Sequence, residues 1–196
     1  MVTSTIISKP GNRRPNLPQP GSRPTQVSNY YKRGARGINI DADPEAIALF
    51  NQNRPDDCNV NIGVASAPGT LKFSRLDAIS PVNTFSEATL KALLADKPWL
   101  RIMDQLDIPV LTIDQVVDAY CDGRYPDLVS IDAEGLDYDI IAAAAFRTRP
   151  KILCVETTSP AGNSETEMNE LLKSKGFRKY VQMHANAIYI DQETVV

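Results

Sequence analysis

The sequence predicts an α/β protein built on one mostly parallel sheet with helices on both faces. Three observations carry this. Short apolar runs alternate with helical patterns along the chain, as in successive strand–helix–strand units. Three segments have capping-box spacing at a helix start: Thr84–Glu87, Thr112–Gln115 and Ser164–Glu167. Finally, Leu128-Val129-Ser130-Ile131 is a short apolar run between turn residues, the signature of a buried strand. It ends in Asp132-Ala133-Glu134-Gly135 and leads into a helix expected over 136–146.

Taken in order, residues 1–28 hold five prolines and two glycines without periodicity. They are read as an irregular, Pro-rich basic arm, and 29–196 as one α/β domain. Gly37 to Asp41 is a short strand ending in an acid. Asp43 is placed as N-cap and Pro44 at the first position of a helix running to about Asn53. Asn59 to Ala65 alternates weakly and reads as a strand, and Leu71 to Ser74 as a short edge strand. The Thr84 helix ends near Lys97-Pro98. Ile108 to Leu111 is a brief extended piece, and the Thr112 helix runs through Tyr120 to the Asp122-Gly123 stop. Lys151 to Glu156 is a second buried strand. The Ser164 helix ends at Gly176, a C′ glycine. Phe177 to Met183 and Ala187 to Ile190 form a terminal hairpin.

A chain of 196 residues is long enough for one domain with a sizeable core. Its 42% hydrophobic and 23% charged residues are those of a globular protein. No apolar run reaches the roughly 18 residues of a membrane span, and Met1 to Ser8 is too short an apolar patch for a signal peptide. Three scattered cysteines, Cys58, Cys121 and Cys154, point to a reducing, cytoplasmic setting. One histidine and no cysteine pair argue against zinc. Residues 1–40 hold seven Lys or Arg and no acid, leaving 14 basic against 24 acidic groups, a net of −10, on the rest. The arm lacks interleaved aromatics before Tyr30, so neither a nucleic-acid nor a membrane partner is expected. No motif specifies the oligomeric state.

The candidate site residues stand at strand tips, where open α/β sheets bind ligands. Asp41 ends an early strand. An acid there can accept hydrogen bonds from ribose hydroxyls, or it can simply cap the next helix beside Asp43. Asp132 and Glu134 flank Ala133. If the backbone stays extended they share a face, and two crowded carboxylates can raise one pKa into the range of acid–base work. They could equally hold a divalent cation or cap the following helix. His184, the single histidine, is read as a surface or core residue. Neither Gly-x-Gly-x-x-Gly, Tyr-x-x-x-Lys, Walker A nor Gly-x-Ser-x-Gly occurs. Hydride-transfer enzymes, P-loop enzymes and α/β hydrolases therefore lose ground.

Arg36-Gly37-Ile38-Asn39-Ile40-Asp41-Ala42-Asp43-Pro44 resembles the second strand and helix of FkbM-type S-adenosylmethionine-dependent methyltransferases. Asn61-Ile62-Gly63-Val64, Pro68-Gly69 and Asn83-Thr84-Phe85-Ser86 continue the likeness. Asp127 to Asp137 is its most specific stretch, and Lys151 to Glu156 resembles the next strand. The resemblance implies a Rossmann-like class I methyltransferase sheet with a C-terminal antiparallel hairpin. It implies S-adenosylmethionine as cofactor and methyl transfer to a hydroxyl of a sugar, glycan or other small-molecule natural product. Asp41 and Ala42 would hold the cofactor ribose, Val64 would line adenine, and Asp132 would face the methionine end and the acceptor, with Glu134 beside it as a second carboxylate.

The likeness breaks at the start. The family's first strand ends in Asp-x-Gly, whose backbone cradles methionine. The matching place here is Gln19-Pro20-Gly21-Ser22, with Gly21 as the remnant and prolines around it. A proline-broken segment cannot sit centrally in a sheet. This predicts a missing or irregular first strand, a degenerate or truncated cofactor motif, and an impaired O-methyltransferase. The alternative is a non-catalytic binding module of methyltransferase fold.

Overall fold

The computed structural model describes residues 31, 34–76, 83–158 and 164–194, together with the backbone of residues 4–9. Gly21 and the rest of the basic arm lie outside the described residues. The elements are β1 (Ser4–Lys9), β2 (Arg36–Asp41), α1 (Pro44–Asn53), β3 (Cys58–Val60), β4 (Gly63–Val64), β5 (Gly69–Leu76), α2 (Glu87–Asp96), β6 (Ile102–Leu111), α3 (Ile113–Tyr120), β7 (Leu128–Ile131), α4 (Asp137–Ala143), β8 (Ile152–Glu156), α5 (Glu165–Ser174), β9 (Phe177–Met183) and β10 (Asn186–Asp191).

The α/β class holds. A seven-stranded sheet has the order β3-β2-β1-β7-β8-β10-β9, so β7 is its central strand. The expectation of a mostly parallel sheet is corrected to a mixed one. Of six pairings, only β2–β3 and β7–β8 are parallel, while four are antiparallel. Two causes combine. The terminal hairpin brings β10 against β8, and β1 runs against both its neighbours. Strands β2, β7 and β8 still share one direction, so their carboxyl ends meet at one rim.

Strand β1 is a second correction. The sequence predicts an irregular arm, but Ser4–Lys9 pairs with β2 from Ser4↔Asp41 to Lys9↔Arg36, and with β7 from Ile6↔Ser130 to Ser8↔Leu128. Thr5-Ile6-Ile7 is a β-branched run suited to a pleated surface. The prolines counted against it all lie beyond Lys9. The place expected to lack a first strand is thus filled.

Register shows where the core sits. Successive strand residues face opposite sides. Ile38 and Ile40, Val129 and Ile131, Leu153 and Val155, and Ala187 and Tyr189 fall on one face through the Val129↔Leu153, Ile131↔Val155 and Ala187↔Val155 pairs. All eight are buried in one cluster with Ile113, Val116 and Val117 of α3, Ile140 and Ile141 of α4, and Met168 and Leu172 of α5. The opposite face carries Asn39, Ser130 and Cys154, the polar side on which the site is built.

A second, three-stranded sheet has the order β4-β6-β5. The expected strand over 59–65 splits into β3 and β4, which join different sheets. The brief piece expected at 108–111 is the end of the ten-residue β6. Thr112–Gln115 and Ser164–Glu167 form complete capping boxes. Thr84 does not. Ser86 caps α2 instead, because Thr84 is held in a bridge to Ser74 and its hydroxyl is used elsewhere.

Gly63 on β4 is required by close approach. A Cβ there would lie 2.5 Å from the Phe85 ring and 2.8 Å from Val110 Cγ1, closer than real contacts allow. Gly63→Ala is expected to destabilise the chain by about 1–3 kcal/mol, the usual cost of overpacking a core. Urea unfolding measures this, and an unchanged midpoint would contradict the packing described for β4.

Candidate functional site

The site grows from three strand tips. Asn39 and Asp41 alternate with core-facing Ile38 and Ile40 on β2, so they project from the polar face. Ser130 does the same on β7 and pairs with Cys154 on β8. Continuing those registers by two residues sets Asp132 beside Ser4 and Glu156, while Ser4 pairs with Asp41. Asp41, Asp132 and Glu156 therefore form a row across the rim on one face. Sequence reasoning named the first two and missed Glu156, although it ends a strand parallel to β7 and obeys the same rule.

Asp41 is 1% exposed. Its Oδ1 accepts the Asp43 N–H at 2.8 Å, and its Oδ2 is buried with no partner among the described residues. The helix-capping task belongs to Asp43, whose carboxylate accepts the Glu45 N–H. The turn between them is pinned from outside. Asn61 Nδ2 donates to the carbonyls of Asp41 and Ala42 at 2.9 and 3.0 Å. Arg75 from β5 joins Asp43, Glu45 and Asp104, and Asn83 Nδ2 donates to Asp43 Oδ2. The small sheet thus braces the tip that presents Asp41. Ala42 is buried with Phe73 and Ile108. Val64 is 5% exposed within the main core, so its side chain meets protein.

Beyond β7 the chain turns sharply. Glu134 has φ 46°, a conformation that non-glycine residues seldom adopt. It is held by the Thr84 hydroxyl, which donates to the Glu134 carbonyl at 2.8 Å. Extended alternation therefore does not carry from Asp132 to Glu134, contrary to the condition under which they would share a strand face. Leu136 supplies no side-chain cap to α4. Asp137 closes the loop instead: it is 4% exposed, and its Oδ1 accepts the Ala133 N–H at 3.1 Å. Its Oδ2 has no partner among the described residues. Asp137 was legible as a first-turn acid but not as this loop's internal anchor. His184 is an exposed residue of the hairpin turn.

The acids perturb one another. Burial, then the nearby Asp43 and Asp132 charges, push the Asp41 carboxyl from 3.8 up to about 8, against the Asp43 N–H. Burial, then Asp137, Asp132 and Glu134, raise Glu156 to about 8. Burial, then Asp132, raise both Glu134 and Asp137 to about 7. Burial also raises Asp132. None forms an ion pair among the described residues, and no group there has the arrangement to hold a metal ion. Chemically, the rim offers acceptors to ligand hydroxyls or cations, and carboxyls able to take or give a proton near neutrality.

An α/β sheet with acids at adjoining carboxyl tips is the architecture of a ligand-binding fold of this class. The family model for the methyltransferase FkbM domain matches residues 19–179, most of the chain. The protein belongs to the FkbM methyltransferase family. No curated protein and no solved structure matches it. Strand β1 lies before the matched segment.

The raised carboxyls have a consequence for stability. Each holds its proton in the folded chain at pH values where the unfolded chain has lost it. Their stabilising contribution is therefore full below about pH 4 and is lost as pH rises through about 7 to 8. The melting temperature is expected to fall between pH 5 and 8.5, with a shallower fall in Asp41→Asn and Glu156→Gln. Calorimetric melts across that interval check this. A flat or rising profile contradicts it.

Proposed function

We propose that this chain is an S-adenosylmethionine-dependent O-methyltransferase of Rossmann-like, class I type, acting on a hydroxyl of a sugar, glycan or other small-molecule natural product, with a weakened grip on its cofactor. The observation that carries the reading is the row Asp41, Asp132 and Glu156 on one face of the rim, with Asp41 Oδ2 buried and free to accept. A ribose hydroxyl is a donor of the size and polarity that oxygen lacks, so the residues fit the cofactor's sugar. Ala42 and Val64 support the adenine wall from behind.

S-adenosylmethionine, when bound, supplies an activated sulfonium methyl group. The residues' work is alignment and proton removal. Asp41 fixes the nucleoside end, and alignment of the reacting groups contributes much of the rate. Asp132, central in the row, accepts the acceptor's hydroxyl proton on its carboxylate, and the raised pKa of Glu134 suits it to relay that proton.

A second reading, a non-catalytic binding module, is favoured by the direction of β1. Its carboxyl end, Lys9, pairs with Arg36 at the edge opposite the rim. The strand that precedes segment 19–22 in the sequence thus has its carboxyl end away from the rim.

Asp132→Asn separates the readings. Transfer of radiolabelled methyl to a panel of hydroxyl acceptors is expected to drop by about 10²–10⁴-fold, the usual contribution of a general base. Because the native carboxyl is raised by burial, the melting temperature should hold or rise. Parallel loss of melting temperature and activity would mark Asp132 as structural. No transfer by the native chain would favour the binding module.

A further inference from the structure

The peptide joining Glu134 to Gly135 lies between two left-handed residues, at φ 46° and 101°. Glycine accepts either sign of φ at little cost, whereas Glu134 is strained in that region. The peptide is gripped at both of its polar ends. Its N–H serves the Asp137 carboxylate, and its carbonyl accepts the Thr84 hydroxyl at 2.8 Å. The two grips differ in kind. Asp137 starts α4 within the same turn and moves with it. Thr84 comes from the chain joining β5 to α2 and ties the turn to another part of the fold.

Thr84 is itself fixed. It is buried, and its N–H and C=O both pair with Ser74 of β5, at 3.1 and 2.9 Å. Its Oγ1 also accepts the Ser86 N–H at 2.9 Å, so the hydroxyl proton is left to point at the Glu134 carbonyl. On one side, Phe85 packs on Phe73 with ring centroids 4.9 Å apart. On the other, Asn83 accepts the Leu76 N–H and donates to Asp43 Oδ2, and the Asp43 N–H in turn holds Asp41. Asn83 and Thr84 thus link the β2 tip to the β7 tip. The β2 end is braced again by Asn61 and Arg75. At the Glu134 carbonyl, Thr84 is the partner among the described residues.

We propose that Thr84 is a positioning residue of the methyl transfer: its hydroxyl holds the Glu134–Gly135 peptide in the orientation that keeps the Glu134 carboxyl near Asp132, and so sets the rate of proton removal rather than the affinity for cofactor or acceptor. This rests on the reading that Asp132 and Glu134 take the proton of the acceptor hydroxyl. Without the outer grip, glycine at 135 lets the peptide turn, Glu134 leaves its strained φ, and its side chain moves out toward water.

Steady-state kinetics of the full chain test this, with radiolabelled S-adenosylmethionine and the best hydroxyl acceptor of the panel. Thr84→Val keeps the shape and removes the donor. Its kcat is expected to fall by about 10–100-fold, the scale of a small misplacement of a reacting group, with both KM values within about twofold. Thr84→Ser restores the hydroxyl and should recover most of the rate. The acidic limb of kcat, set near pH 7 by Glu134, should move down by about one pH unit in Thr84→Val, because burial is the main cause of the raised carboxyl and a freed side chain loses it. Should Thr84→Val not fold by circular dichroism, Thr84→Cys, a weak donor, is read the same way. An unchanged kcat, a loss confined to KM, an unmoved acidic limb, or Thr84→Ser as impaired as Thr84→Val overturns this inference and leaves the methyltransferase reading standing. No transfer by the native chain overturns both.

Discussion

The central strand β7 imposes the constraint on which the rest depends. Val129 and Ile131 are buried on it, and buried backbone N–H and C=O groups must be paired. One edge is satisfied by β8. The other edge must also be filled, and Ser4–Lys9 fills it from outside the segment that matches the family. A strand in that slot can run either way and still close the ladder. It runs antiparallel, so the hydrophobic layer survives while the polarity of the slot is inverted. The sheet is intact, and the carboxyl end of this strand, Lys9, lies at the edge opposite the rim.

The rim is shaped by the same economy of hydrogen bonds. Asp41 and Asp137 each turn a carboxylate back onto N–H groups of their own loop, which makes the tips rigid without help from a ligand. Each leaves a second oxygen buried and unpaired. Unpaired buried acceptors are costly, and two of those among the described residues stand at this rim. The positive φ of Glu134 adds local strain, held by the Thr84 hydroxyl. Strain and unpaired polar atoms at one strand tip are a functional pattern. The small sheet serves this tip as well, since Thr84 and Asn83 come from the chain joining β5 to α2, and Arg75 from β5 itself.

Much of this was legible in the sequence. The buried strands β7 and β8, the capping boxes at Thr112 and Ser164, the helix stop at Gly176 with φ 88° and the terminal hairpin follow from local rules. Asp41 and Asp132 were found because strand tips present polar groups. Glu156 obeys the same rule but sits in a run that read only as core. Asp137 was hidden because a first-turn acid normally interacts with its helix, not with the loop before it. Strand β6 was cut short because Asp104, Gln105 and Asp107 mask the alternation of Leu106, Ile108 and Val110. Strand β1 was lost because the prolines beyond it dominated the composition. Its direction could not be read at all, since a short β-branched run fits a ladder either way.

The claim that the rim of β2, β7 and β8 is the ligand site is tested most directly by mapping amide resonances during a titration with adenosine. Perturbations are expected to cluster at Ala42 and Asp43, at Asp132 to Gly135, and at Glu156 and Thr157. Shifts clustered on the β5–β6 sheet or the β9–β10 hairpin, with the three tips unmoved at saturation, would contradict it.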